Sequence, residues 1–127
     1  MVFDGESLWV PATDATNHLI RFDPDVGVEK KVFSLTETPL DIAFDGNFLW
    51  VSAPSSRRLL IIRPIDGQQM INIGAYSPSG AGTLERIYFD GHAVWYSMST
   101  DNMIGRYTVP WHDGYSNGSV FAGISVY

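Results

Sequence analysis

The chain has 127 residues, of which 45% are hydrophobic and 17% charged, so it is long enough for one domain and too apolar for a disordered chain. Its 14 acidic and 8 basic residues give a net charge of −6, which disfavours binding to the phosphate backbone of nucleic acids. The absence of cysteine excludes disulfide frameworks and cysteine-based zinc sites.

Neither the amino-terminal stretch nor any apolar run has the pattern of a targeting or membrane segment. Residues 1–9, "MVFDGESLW", lack a basic region and a long apolar run, so we expect no signal peptide. The longest aliphatic run is Leu59–Ile62, far shorter than the roughly 20 residues that span a bilayer. We therefore expect a soluble chain without membrane insertion, and the sequence leaves its compartment open.

One eight-residue phrase occurs three times along the chain. It is "FDGESLWV" at residues 3–10, "FDGNFLWV" at 44–51 and "FDGHAVWY" at 89–96, and the copies begin 41 and 45 residues apart. Self-similarity at this period indicates a repeat architecture. The sequence therefore predicts a single domain, residues 1–127, made of three repeats.

Each repeat has the pattern of four short strands, which we call A to D. Asp-Gly between two apolar runs predicts a hairpin joining strands A and B, and an apolar run with an arginine then supplies strand C. A Gly-ended turn leads to strand D, and no stretch has the apolar period of a helix. The repeats cover about 1–43, 44–88 and 89–127, and strand D of the third is "GSVF", residues 118–121.

Three side chains recur with the repeat, and we interpret all of them as structural. The tryptophan of strand B is expected between neighbouring sheets, the aspartate is expected to bond its own turn, and the arginine of strand C is expected to pair with an aspartate or between sheets. The tryptophans are Trp9, Trp50 and Trp95; the aspartates are Asp4, Asp45 and Asp90; the arginines are Arg21, Arg63 and Arg106.

The repeated pattern "FDGxxLWV…IxRxDPxxG…PxxIAFDG" resembles the blades of bacterial β-propellers, including the streptogramin B lyase and NHL-like groups. The resemblance implies an all-β fold of four-stranded, propeller-like blades. Complete propellers carry about four to eight blades, whereas this chain has three. Three four-stranded units also suit a β-trefoil or a three-sheet β-prism, which remain alternatives.

The resemblance to the lyase implies a histidine general base, a glutamate and magnesium in the complete enzyme. None of these can be assigned here, because Glu6, Glu29, Glu37 and Glu85 match no motif. The histidines at 18, 92 and 112 form no ligand pair of the H-x-x-x-H kind. We therefore expect no catalytic residue, no metal site and no cofactor.

Strand alternation places the B–C and D–A loops at one end of the repeats, and these loops vary in length and polarity. They are residues 11–17, 52–58 and 97–102, together with 34–39 and 75–83. Since binding residues favour variable loops on a rigid framework, this end is the predicted binding face. Its candidate residues are Asp14, Asn17, His18, Arg57, Arg58, Tyr76, Asp101 and Asn102.

The leading functional hypothesis is a non-catalytic β-repeat module that binds a partner or assembles with other chains. One version is a structural subunit of a larger assembly, such as a phage tail or virion accessory. Another is a carbohydrate-binding module, in which Tyr76, Trp111 and Tyr115 supply stacking faces. The alternative is a propeller enzyme of lyase or hydrolase type.

A wedge of three blades leaves two sheet faces and two strand edges exposed, which predicts self-association or a complex with another protein. The carboxyl-terminal "GISVY", residues 123–127, resembles the lead-in to a further strand A. It is therefore expected to add to the first blade of a second chain, so that two chains form a six-bladed ring.

Overall fold

The computed structural model describes residues 1–109 and, as backbone, the strand at 121–125. The described part has almost no helix and forms three antiparallel sheets of four strands each, with consecutive strands paired as neighbours. The predicted all-β fold of three four-stranded, propeller-like blades is confirmed. We number the sheets in chain order as blades one, two and three.

Every blade runs through strands A to D in order. Blade one contains β1 (Val2–Phe3), β2 (Leu8–Pro11), β3 (His18–Phe22) and β4 (Glu29–Ser34). Blade two contains β5 (Ile42–Phe44), β6 (Leu49–Ala53), β7 (Arg58–Arg63) and β8 (Gln68–Gly74), with a 3₁₀ turn, Pro54–Ser56, between β6 and β7. Blade three contains β9 (Leu84–Phe89), β10 (Ala93–Met98), β11 (Met103–Thr108) and β12 (Phe121–Ser125).

The blades pack face to face, with the first strand β1 next to β5 and β5 next to β9. We call the face of a blade toward the preceding blade its front face, and the face toward the following blade its back face. Because side chains alternate along a strand, neighbouring residues such as Leu49 and Trp50 belong to opposite faces. Each blade therefore needs apolar residues at consecutive positions when both of its faces are covered.

Two apolar clusters fill the space between the blades. The first joins the back face of blade one, with Trp9, Leu19 and Phe33, to the front face of blade two. The second joins the back face of blade two, with Trp50 and Leu59, to the front face of blade three. All five residues of β6 are buried, so this strand is packed on both faces, and its tryptophan lies between neighbouring sheets as the sequence predicts.

Polar contacts also join blades two and three near their first strands. Asp41 accepts a hydrogen bond of 3.0 Å from the backbone N–H of Ile87, and the Ser52 hydroxyl donates to the backbone oxygen of Glu85 at 3.2 Å. Both contacts satisfy groups at a buried boundary, where an unpaired polar group is costly. They therefore help to fix how blade three is placed on blade two.

The last strand differs from the sequence-based expectation. Strand D of blade three is Phe121–Ser125, not "GSVF", and it pairs antiparallel with β11. The segment 123–125 of "GISVY" is therefore occupied within its own blade and is not a lead-in for another chain. The edge of β11 needs a fourth strand, and the longer connection after Thr108 places that strand further along the chain.

The arginines of strand C also need a correction. The register pairs Trp9 with Arg21 and Trp95 with Arg106, but it pairs Trp50 with Ile61. Arg63 therefore lies two residues beyond the equivalent position. Its guanidinium forms an ion pair with Asp66 in the following turn. An aspartate pair was expected for this arginine, and Arg63 has one, but it does not belong to the repeated set.

Candidate interaction surfaces

The repeated aspartate and tryptophan form the same hydrogen-bonded unit in all three blades. The indole Nε1 donates to a carboxylate oxygen at 2.7 Å for Trp9 and Asp4, at 2.6 Å for Trp50 and Asp45, and at 2.6 Å for the third pair, Trp95 and Asp90. The other carboxylate oxygen accepts from two backbone N–H groups of the turn, for example those of residues 47 and 48 at 2.7 and 2.8 Å. These residues stabilise the turn and the core.

This bonding changes the acidity of two of the carboxyls. Burial tends to raise the pKa of Asp4, but the donated hydrogen bonds of Trp9 and of the turn outweigh it and hold the pKa below its ordinary value. For Asp90 the N–H of Ala93 and the indole of Trp95 lower the pKa despite partial desolvation. Both carboxylates therefore act as hydrogen-bond acceptors that stabilise the fold, and their lowered pKa values do not suit a proton donor.

The B–C and D–A loops lie together at one end of the blades, as the strand alternation predicts. Three of the predicted binding residues, Asp101, Asn17 and Arg57, connect these loops to one another, and a fourth, Asn102, bonds within its own loop. The carboxylate of Asp101 accepts from the hydroxyls of Ser77, at 2.6 Å, and Ser79. The Thr38 hydroxyl donates to the Asn17 side chain at 2.5 Å, and the Leu35 N–H donates to the Asn17 backbone oxygen at 2.7 Å. The Ala75 N–H donates to the Arg57 backbone oxygen at 2.7 Å. The Asn102 N–H donates to the Ser99 backbone oxygen at 3.2 Å.

The other four predicted residues lie at the same end with different surroundings. Tyr76 is 51% exposed, and its backbone N–H donates to the Tyr96 hydroxyl at 3.2 Å. Arg58 is exposed and lies 3.7 Å from the Glu37 carboxylate. Asp14 is exposed and bonds Thr16 within its own loop, while His18 is half-buried at the start of β3. Trp111 and Tyr115 lie outside the described residues.

A cavity of about 620 Å³ lies at the opposite end, between the A–B turns of blades one and two. Its walls include Arg21, Phe44, Phe48 and Arg63. The Arg21 guanidinium lies 5.6 Å from the ring of Trp9 and 5.5 Å from that of Phe33, and its Nε is buried without a hydrogen-bond partner. The aromatic faces therefore stabilise this cation in place of an acceptor.

The front face of blade one is apolar, and no other described part of the chain covers it. Cross-strand partners share a face, so the register places Phe3, Leu8 and Phe22 together, and it places Val10 beside Ile20. Phe3 is 52% exposed, and the other four are partly exposed. The sequence predicted that two sheet faces would be exposed, and the register now identifies their residues.

The back face of blade three is the second face that residues 1–109 and the strand at 121–125 leave uncovered. It carries Tyr88, Trp95, Ile104 and Arg106, with Tyr88 68% exposed and Ile104 37% exposed. The Arg106 guanidinium lies 5.6 Å from the Trp95 ring, which repeats the geometry of Arg21 over Trp9. Trp95 itself is partly exposed, whereas Trp9 and Trp50 are fully buried.

The residues that the structure describes offer neither a clustered metal site nor a membrane-spanning helix. They contain no group of three or more His, Asp or Glu side chains placed to hold a metal ion. Within the same residues, no helix has the length and apolar character needed to cross a membrane. Of the described histidines, His18 starts β3 at the loop end and His92 lies in an A–B turn at the other end.

Comparison with known proteins agrees with the architecture. No family model matches the chain, and no curated protein matches it. Virginiamycin B lyase from Staphylococcus aureus has 17% identity and a TM-score of 0.71, with 94% of this chain covering 38% of the lyase. U3-55K has 15% identity and a TM-score of 0.70, and the match covers 98% of this chain and 37% of U3-55K. The WD40 repeats of RRP9 have 15% identity and a TM-score of 0.69, and the match covers 97% of this chain and 36% of that protein.

At these identities the similarity shows the fold alone. The chain has the fold of β-propeller blades, and it spans 36–38% of the length of these propeller proteins. The three blades therefore correspond to a continuous part of a propeller ring.

Proposed function

We propose that this chain is a non-catalytic assembly module, a structural subunit that binds the blades of another β-propeller-type protein through its two open sheet faces. The observation that carries the proposal is the front face of blade one. Its five apolar residues are partly or largely exposed, whereas four of the five equivalent residues of blade two are fully buried under blade one and the fifth, Phe44, is partly buried.

The correspondence is position by position. Leu8 and Val10 of blade one occupy the places of Leu49 and Val51 in the strand B register, and the latter two have no exposed surface. Ile20 and Phe22 likewise occupy the places of Leu60 and Ile62, which are also fully buried. A surface with this composition and geometry fits the back face of a blade.

An apolar face of this kind is uncommon on a monomeric protein and marks a contact surface. A β-blade is the partner whose shape and chemistry the face already matches, because blade two uses the same surface to bind blade one. The non-catalytic part of the proposal rests on the separation of His18 and His92 at opposite ends, and on the commitment of Asp4 and Asp90 to turn hydrogen bonds.

Affinity capture with matched variants tests the proposal. Ile20→Asp introduces a charge in the centre of the front face, whereas Val26→Asp changes a 67%-exposed residue in the C–D turn of the same blade. We expect at least one identified protein, a differently tagged copy of this chain included, to be retained by the wild type and by Val26→Asp and lost with Ile20→Asp. If no retained protein depends on Ile20, the front face is not an assembly surface.

A further inference from the structure

The chain carries both halves of one interface, and within the described residues neither half is covered. The front face of blade one has the positions that blades two and three use to bind the preceding blade. The back face of blade three has the positions that blades one and two use to bind the following blade. Because blade two separates these faces, a single copy cannot bring them together.

From this we infer that the back face of blade three binds the front face of blade one in a second copy of the chain. The inference rests on the proposed function and names the partner. Two such copies, related by a two-fold axis, make the contact twice and contribute six blades, within the range of about four to eight found in propeller rings.

The internal contact between blades one and two shows how the new contact is built. There, Trp9, Leu19 and Arg21 of a back face meet the apolar front face of blade two, and Arg21 lies beside Phe44 in the cavity. In blade three the equivalent residues are Trp95, Ile104 and Arg106. The repeated stacking of Arg106 on Trp95 places this cation as Arg21 is placed.

Charge complementarity favours a second copy over an unrelated blade. The cavity beside Arg21 is lined by Phe44 and Asn47 of the next blade, and the same positions in blade one are Phe3 and Glu6. When blade three of one copy contacts blade one of the other in the same way, Arg106 lies beside the exposed carboxylate of Glu6. An arginine and a carboxylate at the edge of an apolar contact add both register and specificity.

The mass of the purified chain in solution is the first measurement. We expect a species of twice the chain mass of 14.1 kDa by light scattering. Ile20→Asp on the front face and Ile104→Asp on the back face should each raise the dissociation constant by roughly 100-fold, since each buries an unpaired charge. Val26→Asp, outside both faces, should leave the mass unchanged.

Mixing the two face variants distinguishes a front-to-back contact from a front-to-front contact. Ile20→Asp retains an intact back face and Ile104→Asp an intact front face, so an equimolar mixture should form a heterodimer through one contact. A front-to-front dimer predicts instead that Ile104→Asp alone stays dimeric and that mixing restores nothing, and this result would overturn the inference. Arg106→Glu should also weaken association, and Glu6→Arg in the same chain should recover part of it.

A wild-type chain that stays at 14.1 kDa up to high micromolar concentration would reject the second copy as partner. The proposed function would then be judged separately, by whether a different protein is captured in an Ile20-dependent manner. If the chain neither self-associates nor captures a different protein through Ile20, the assembly role is wrong. The failure of the inference can therefore be distinguished from the failure of the proposed function.

Discussion

The carboxylate of Asp45 accepts a hydrogen bond of 2.6 Å from the indole Nε1 of Trp50, and both residues are without exposed surface. The same carboxylate accepts two backbone N–H groups of the turn that it begins. One side chain thus satisfies the polar atom of the largest core residue in blade two and also fixes the hairpin between β5 and β6. This explains why the aspartate and the tryptophan recur five residues apart.

We expect Asp45→Ala to lower the free energy of unfolding by roughly 1–3 kcal/mol or more, because it leaves the buried indole N–H without an acceptor. Both variants are made in the monomeric Ile20→Asp background, where Asp90→Ala is the matched control, since the equivalent unit with Trp95 is exposed there and water can replace the carboxylate. Urea unfolding of the two variants measures the difference. Equal losses would show that burial does not determine the strength of this unit.

Acid stability provides a second prediction. The pKa of Asp90 is held below its ordinary value of 3.8 by the N–H of Ala93 and by Trp95. A carboxyl with a lowered pKa in the folded state contributes stability that is complete above its unfolded pKa and is lost as pH falls through the folded value. Asp90→Asn should therefore flatten the fall of the melting temperature as the pH drops below the ordinary carboxyl pKa of 3.8. Identical acid profiles in both proteins would contradict this.

Much of the fold could be predicted because the repeat carries local information. The Asp-Gly turns, the apolar strand B and the regular spacing specify three four-stranded sheets before any long-range contact is considered. The register could not be predicted where the repeat is imperfect. Arg63 aligns with Arg21 by eye, but the strand C register places Ile61 opposite Trp50.

The candidate sites were less predictable than the fold. Sequence variability and polarity identified the loop end as the predicted binding face. Asp101 and Asn17, however, form hydrogen bonds there that connect one loop to another. Loop hydrogen bonds depend on which loops meet, which no local pattern records. The open faces show the opposite case, since the alternation of Leu8 and Val10 is visible in the sequence but its exposure depends on the neighbouring blade.

Removal of the central tryptophan should be costly. Trp50 lies between blades two and three with no exposed surface, so Trp50→Ala is expected to cost roughly 3–5 kcal/mol by creating a cavity. Trp95→Ala should cost clearly less in a monomeric variant such as Ile20→Asp, because the Trp95 face is open there. Thermal or urea unfolding compares the two. An unchanged melting temperature for Trp50→Ala would show that this residue is not core.

The loop end allows a separate test of structural and binding roles. Asp101→Ala removes the acceptor of Ser77 and Ser79, whose hydroxyls in turn accept from the N–H groups of Gly82 and Ala81. Amide exchange at these two residues should accelerate roughly tenfold, the equivalent of about 1.4 kcal/mol of hydrogen bonding.

Tyr76→Ala is the control for that loop experiment, because its side chain is 51% exposed and should leave the exchange of Ala81 and Gly82 unchanged. Binding through this end remains a prediction. If a glycan or protein is recognised here, substitution of Tyr76 or Arg58 should weaken it without lowering the melting temperature. A contact footprint confined to the A–B turn end would contradict that prediction.

Two glycines of the C–D turns provide a matched pair for the contact between blades one and two. Gly27 and Gly67 have φ values of +65° and +67°, so alanine costs about 1–2 kcal/mol of backbone strain at either position. A Cβ at residue 67 would also overlap Cδ1 of Phe33, whereas a Cβ at residue 27 would have no described atom within 4 Å. Phe33 cannot easily move, because its ring is stacked on Trp9 at 5.4 Å.

Gly67→Ala should therefore destabilise the protein by about 1–3 kcal/mol more than Gly27→Ala, the added amount being the overpacking of the interface. Chemical unfolding of both variants measures it. Combining Gly67→Ala with Phe33→Leu should recover part of the added loss, because the smaller side chain makes room for the new methyl group. If both alanine variants lose the same stability, Phe33 does not pack against this turn in solution.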